Sequence, residues 1–221
     1  MSYAKRLSAR FLPCVLSASL LLAAAAAPVQ AEGNWMMNGS KGLVSTVNWI
    51  QKEGSFFFLV PALNVKLVFS KFVLKSGLLT GEGQGTAEFW FTEGKVYSIS
   101  TLEELPCTVG DLLFKVKSNL FLHEGETYNV LTPASGGALT ITTYYGDECI
   151  LSEENAVTGA MVLEDPNGLE NEIVEHLVKQ VAAGLFPTLE MRFGPQKMSL
   201  DGSLWLNLSG AHSGMKWSGV G

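Results

Sequence analysis

The chain has 221 residues, and its 21 Asp plus Glu outweigh 15 Lys plus Arg for a formal charge of −6. That length suits one domain with a substantial core. The acidic balance argues against a nucleic-acid partner, whose phosphates need a basic face.

The first 31 residues read as a cleaved secretory signal. Lys5, Arg6 and Arg10 form a basic n-region, Phe11 to Ala27 an apolar h-region, and Val29-Gln30-Ala31 a small-residue cleavage site. A retained anchor fits less well, because the apolar run is alanine-rich and broken by Pro13. Phe11-Leu12-Pro13 before Cys14 is the wrong context for lipid attachment. The expected product is one β-rich domain over 32–221. The three basic residues leave with the signal, so that domain keeps 12 Lys plus Arg against 21 acids, a charge of −9. An alanine-rich signal points to a bacterial source and a periplasmic or extracellular destination. In such a compartment Cys107 and Cys149 are expected to form a disulfide.

After a polar lead-in, Leu43 to Lys52 fits a helix stripe and a strand about equally well. Ser55 to Leu79 is the most apolar stretch of the expected domain. Asn64, Lys66, Lys71 and Lys75 interrupt it too often for a membrane-spanning helix, and Leu63, Val65, Leu67 and Phe69 alternate as a half-buried strand does. The Gly81 to Gly85 turn leads into Thr86 to Thr92, where Gly94-Lys95 is expected to turn the chain into a further strand at Val96. Short strands follow, with turns at His123 to Glu126 and Pro133 to Gly137. Beyond them, Asp201-Gly202 has the composition of a tight hairpin.

Leu169 to Leu185 breaks the strand pattern. Leu169, Ile173, Val174, Leu177, Val178, Val181 and Leu185 recur at helical spacing, so the sequence predicts one amphipathic helix at about 168–185. The expected fold is therefore α+β: a curved antiparallel sheet or sandwich with that helix laid against one face. An outer-membrane barrel fits less well, given that helix and the Val220-Gly221 ending, which has no terminal aromatic.

Catalytic signals are weak. There is no Gly-x-Ser-x-Gly elbow, His-Glu-x-x-His pair, phosphate loop or dinucleotide fingerprint, so no metal or cofactor is assigned. His123 lies in an acidic glycine turn. His176 falls beside the expected helix stripe, and the adjacency of His212 and Ser213 makes no dyad on a strand. Glu153-Glu154 and Asp147-Glu148 lack a calcium-loop pattern. The sequons at Asn38 and Asn207 matter only where glycosylation occurs.

The leading expectation is an exported, non-enzymatic protein holding an apolar ligand or lipid between sheet and helix. Phe56, Phe57, Phe58, Phe69, Phe89 and Phe91 are the candidate lining. Next comes an envelope or extracellular protein-interaction or structural protein. A hydrolase built on His123 or His212 ranks third. After cleavage the domain is not expected to be integral to a membrane.

Overall fold

A computed structural model describes residues 33–49, 56–136, 139–144, 149, 151, 154–165, 168–179 and 190–220. The proposed signal and residues 50–55, 145–148 and 180–189 discussed above lie outside these. Alternating burial along the chain makes almost every described segment a strand. The N-terminal group is β1 (Asn34–Met37), β2 (Ser40–Lys41), β3 (Ser45–Trp49) and β4 (Phe56–Val60). A long hairpin follows, β5 (Val65–Thr80) and β6 (Gln84–Ser98), and then β7 (Glu104–Val109), β8 (Leu112–His123), β9 (Glu126–Pro133) and β10 (Leu139–Tyr144). The remainder is β11 (Glu154–Thr158), β12 (Met161–Asp165), β13 (Ile173–Lys179), β14 (Arg192–Phe193), β15 (Gln196–Lys197), β16 (Ser199–Asp201), β17 (Ser203–Leu208) and β18 (Trp217–Val220).

Eight of these close into an antiparallel ring in the order β3, β5, β6, β8, β9, β12, β13, β17 and back to β3. A second curved sheet shares the long hairpin. It runs β16, β4, β5, β6, β7, β10, β11, β14, β15, and its outermost strands are separated in sequence only by Met198. The fold is thus a nearly closed β-barrel assembly with two apolar interiors that meet.

The hairpin serves both sheets because it bends. Pairing passes from Phe69↔Gly94 to Lys71↔Thr92, and Ser70 and Glu93 sit at the corner. Glu93 takes φ +56°. Its carboxylate is ion-paired to Lys71 and accepts a hydrogen bond from Ser70 Oγ at 2.7 Å, which together hold it below the usual carboxylate range. Gly94 is required there, since a Cβ would lie 2.7 Å from the Phe69 ring and 2.9 Å from Val109. Beyond the bend β6 pairs with β7; before it, with β8. Gly94-Lys95 therefore bends one continuous strand, where the sequence suggested a turn between two.

The expected helix at 168–185 is overturned, and with it the α+β class. Ile173–Lys179 is strand β13, filling the gap between β12 and β17. Among the described residues the helical pieces are three-residue 3-10 turns at Pro61–Leu63 and Gly210–His212. The same residues satisfy both periods. Val174 and His176 point inward while Ile173 and Glu175 face out, and β-branched Ile and Val suit a pleated surface. Closing the ring removes two open edges, which outweighs a small helix preference. The Asp201-Gly202 hairpin is also corrected: β16 pairs with β4, and β17 with β3 and β13, so the dipeptide carries the chain from one sheet to the other.

Other turns agree with their composition. Glu124 and Gly125, both at positive φ, join β8 to β9 as a two-residue hairpin. Leu43 to Trp49 resolves as strand β3 over Ser45–Trp49. Cys107 and Cys149 form the disulfide, with their Cα atoms 5.1 Å apart.

β1, β2 and β18 make a small separate sheet across one end of the ring. Trp35 donates from Nε1 to the Gln84 carbonyl at 2.8 Å, beside the β5–β6 turn. Trp35 and Trp217 pack with ring centroids 5.9 Å apart and are fully buried.

Candidate functional site

The aromatic cluster sits where the two interiors meet. Phe56 and Phe58 come from β4, Phe69 and Phe72 from either side of the bend in β5, Phe89 and Phe91 from β6, and Phe114 from β8. All seven are buried. Phe91 lies at the centre, with ring centroids 4.7 Å from Phe72, 5.3 Å from Phe114, 5.6 Å from Phe69 and 5.8 Å from Phe58. Most of these contacts are tilted or edge-on, the arrangement that aromatic quadrupoles favour.

Five of the six phenylalanines singled out in the sequence belong to this cluster. Phe57 does not: strand alternation turns it outward, where the Lys66 ammonium sits 3.9 Å from its ring centroid. Phe72 and Phe114 were missed. Phe72 joins Phe69 on the inner face only because the Ser70-Lys71 corner resets the alternation, and no period-2 reading of β5 reveals that.

Beside Phe58 and Phe114 lies a cavity of about 20 Å³, lined also by Val116, Leu131, Val157, Met161 and Leu200. Half-buried Pro133, Gly159 and Met191 form its outer margin. Every lining side chain is apolar. That volume is water-sized, yet no side chain of the walls offers water a hydrogen bond, and two of the liners are methionines, whose unbranched chains repack readily.

The ring's covered end is a second buried environment of opposite character. His176, on β13, is fully buried with its Nδ1 3.4 Å from Asp165 Oδ2 on β12. Asp165 Oδ1 accepts the Gly219 N–H at 2.9 Å, tying β18 to the ring. The indole of Trp217 lies 5.7 Å from the imidazole, centroid to centroid. Among the described residues, neither His176 Nε2, Trp217 Nε1 nor Ser218 Oγ has a hydrogen-bond partner. Burial pushes the His176 imidazole down to about 4, so it is neutral at pH 7. The sequence placed His176 at a solvent boundary; its enclosure follows from the strand it occupies.

The other histidines are peripheral. His123 stacks on Phe121 at 6.3 Å, next to Glu124. His212 Nδ1 is 3.0 Å from Ser45 Oγ, and that hydroxyl also lies 3.1 Å from the Thr46 carbonyl. His212 thus meets Ser45 across the fold rather than its neighbour Ser213. Among the described residues no three His, Cys, Asp or Glu gather as a metal set. Nor is any described helix long and apolar enough to cross a membrane. Of the paired acids, Glu154 is exposed on β11, while Asp147, Glu148 and Glu153 lie outside the described residues. Compared with protein-family models, curated proteins and solved structures, the chain matches none.

Proposed function

We propose that this is an exported, non-enzymatic protein that receives a slender apolar group, such as the end of an acyl chain, at the junction between its two β interiors. The observation that carries this reading is the all-apolar cavity beside Phe58 and Phe114, reached at a margin of Pro133, Gly159 and Met191. Admission of a chain requires Met161 and Met191 to swing aside, because the closed cavity is only about 20 Å³. Export is supported by the basic, apolar and small-residue order of the first 31 residues. The Cys107–Cys149 bond, a type of cross-link that oxidising compartments maintain, supports it further.

Native mass spectrometry of the oxidised protein purified from its own compartment, before and after organic extraction, tests the reading. The expected result is a discrete adduct at fixed stoichiometry that extraction removes and that Met191→Trp, which plugs the margin, abolishes. A bare protein that also fails to retain added fatty acid overturns it. A bare oligomer or protein adduct would move the assignment to the interaction reading.

A further inference from the structure

We infer that the outer face of the wall formed by β5, β6 and β8 docks on an anionic lipid bilayer. Direct cross-strand register sets Val73 opposite Trp90 and Trp90 opposite Leu113, making an apolar row across three strands. Val73 is 42% and Leu113 45% exposed. Outward positions of an antiparallel sheet are ordinarily polar, so a contiguous row of this kind marks a surface with a use.

The charge around the row gives the occupant. Six of the eleven lysines beyond residue 31 lie on this wall: Lys66, Lys71, Lys75, Lys95, Lys115 and Lys117. Three are matched by acids on the same face, Lys71 by Glu93, Lys95 by Glu104 and Lys115 by Glu88. Lys66, Lys75 and Lys117 are surplus, on a chain whose remainder is strongly acidic. Lys75 holds its ammonium 4.1 Å from the Trp90 ring centroid. A tryptophan flanked by lysines suits the boundary between acyl chains and headgroups, with the ring at headgroup level and the ammonium groups on the phosphates. The wall also belongs to the closed ring, so it offers a broad face and no free strand edge for a partner's backbone to pair with. Towards the second sheet the face continues into a shallow groove of about 220 Å³ lined by Lys66, Val68, Tyr97 and the 73%-exposed Leu102.

Docking here goes beyond the apolar-ligand reading and can fail independently of it. The test is co-sedimentation of the oxidised protein, without residues 1–31, with phosphatidylcholine vesicles lacking or containing phosphatidylglycerol. Binding is expected only with the anionic lipid and is expected to weaken with salt. Each surplus lysine contributes roughly fivefold, so Lys66→Glu/Lys75→Glu/Lys117→Glu together should lower affinity about 100-fold or more. Trp90→Ala should also weaken binding, and Lys197→Glu, on another strand, should not. These positions lie on the outer face, and near-UV circular dichroism should confirm that the variants stay folded. Undiminished binding of the folded triple variant, equal binding to both vesicles, or binding to neither overturns the inference. So does concentration-dependent self-association that Trp90→Ala abolishes, because the face would then belong to a second copy. An extractable adduct without vesicle binding would leave the ligand reading standing and remove this one.

Discussion

The junction and the covered end of the ring are both buried, yet different forces specify them. At the junction seven phenylalanines fill space against one another, and the identity of each position rests on shape. At the covered end, His176, Asp165 and Trp217 bring polar atoms into the same kind of interior, and position there rests on electrostatics. Apolar packing is indifferent to protons; a buried imidazole is not. The two regions should therefore respond alike to volume and differently to pH.

The largest effect is expected at the junction. Phe91→Ala removes the central ring and should destabilise the fold by about 3–5 kcal/mol, by the same amount at pH 7 and pH 5 in denaturant unfolding. A loss that varied with pH would break the contrast. Next is the cross-link that braces the second sheet. Cys107→Ser with Cys149→Ser opens a loop between residues 42 apart, and should cost about 2–4 kcal/mol, again without pH dependence over that range.

The covered end should show the opposite signature. His176 titrates at about 4 when folded, against an ordinary 6.5. Between those values the unfolded chain binds the extra proton, so stability is complete above pH 6.5 and declines as pH falls towards 4. The loss is on the order of 3 kcal/mol. His176→Leu should flatten that part of the curve measured by thermal unfolding; a wild-type slope surviving in the variant would transfer the effect to another group.

Two glycines sharpen the comparison at the smallest scale. Gly94→Ala presses on Phe69 and Val109, whereas Gly219→Ala places a Cβ 2.9 Å from both Asp165 Oδ2 and Leu120. Each should cost about 1–3 kcal/mol by overpacking. Only the second is expected to alter the slope between pH 4 and 6.5, because it displaces the carboxylate facing His176.

Local chemistry was legible in the sequence wherever it was self-sufficient. The alternation from Val65 to Phe69, the Glu124-Gly125 turn and the Cys107–Cys149 bond follow from nearest-neighbour preferences and from the pairing expected of the two cysteines beyond residue 31. What escaped depended on distant partners. Ile173 to Lys179 carries helix and strand periodicity together, and β12 and β17, one on each side, decide between them. Asp201-Gly202 looks like a hairpin until β4 claims one flank and β13 the other. Likewise, the phenylalanine list came from composition and caught five cluster members, but the corner at Ser70-Lys71 that brings in Phe72 is a property of the paired strand, where Glu93 adopts positive φ.

The seam between β3 and β17 carries a consequence for the order of synthesis. Val47 pairs with Leu208, and Asn34 with Val220, so the first strands made wait for nearly the last. A chain still emerging can gather its phenylalanines between residues 56 and 114, but it leaves β3 and β13 as bare edges until β17 arrives to cover both. Such non-local closure is slow by nature, so those edges stay open for longer. It also means that a product truncated before residue 203 would have open edges through which copies of the chain can aggregate.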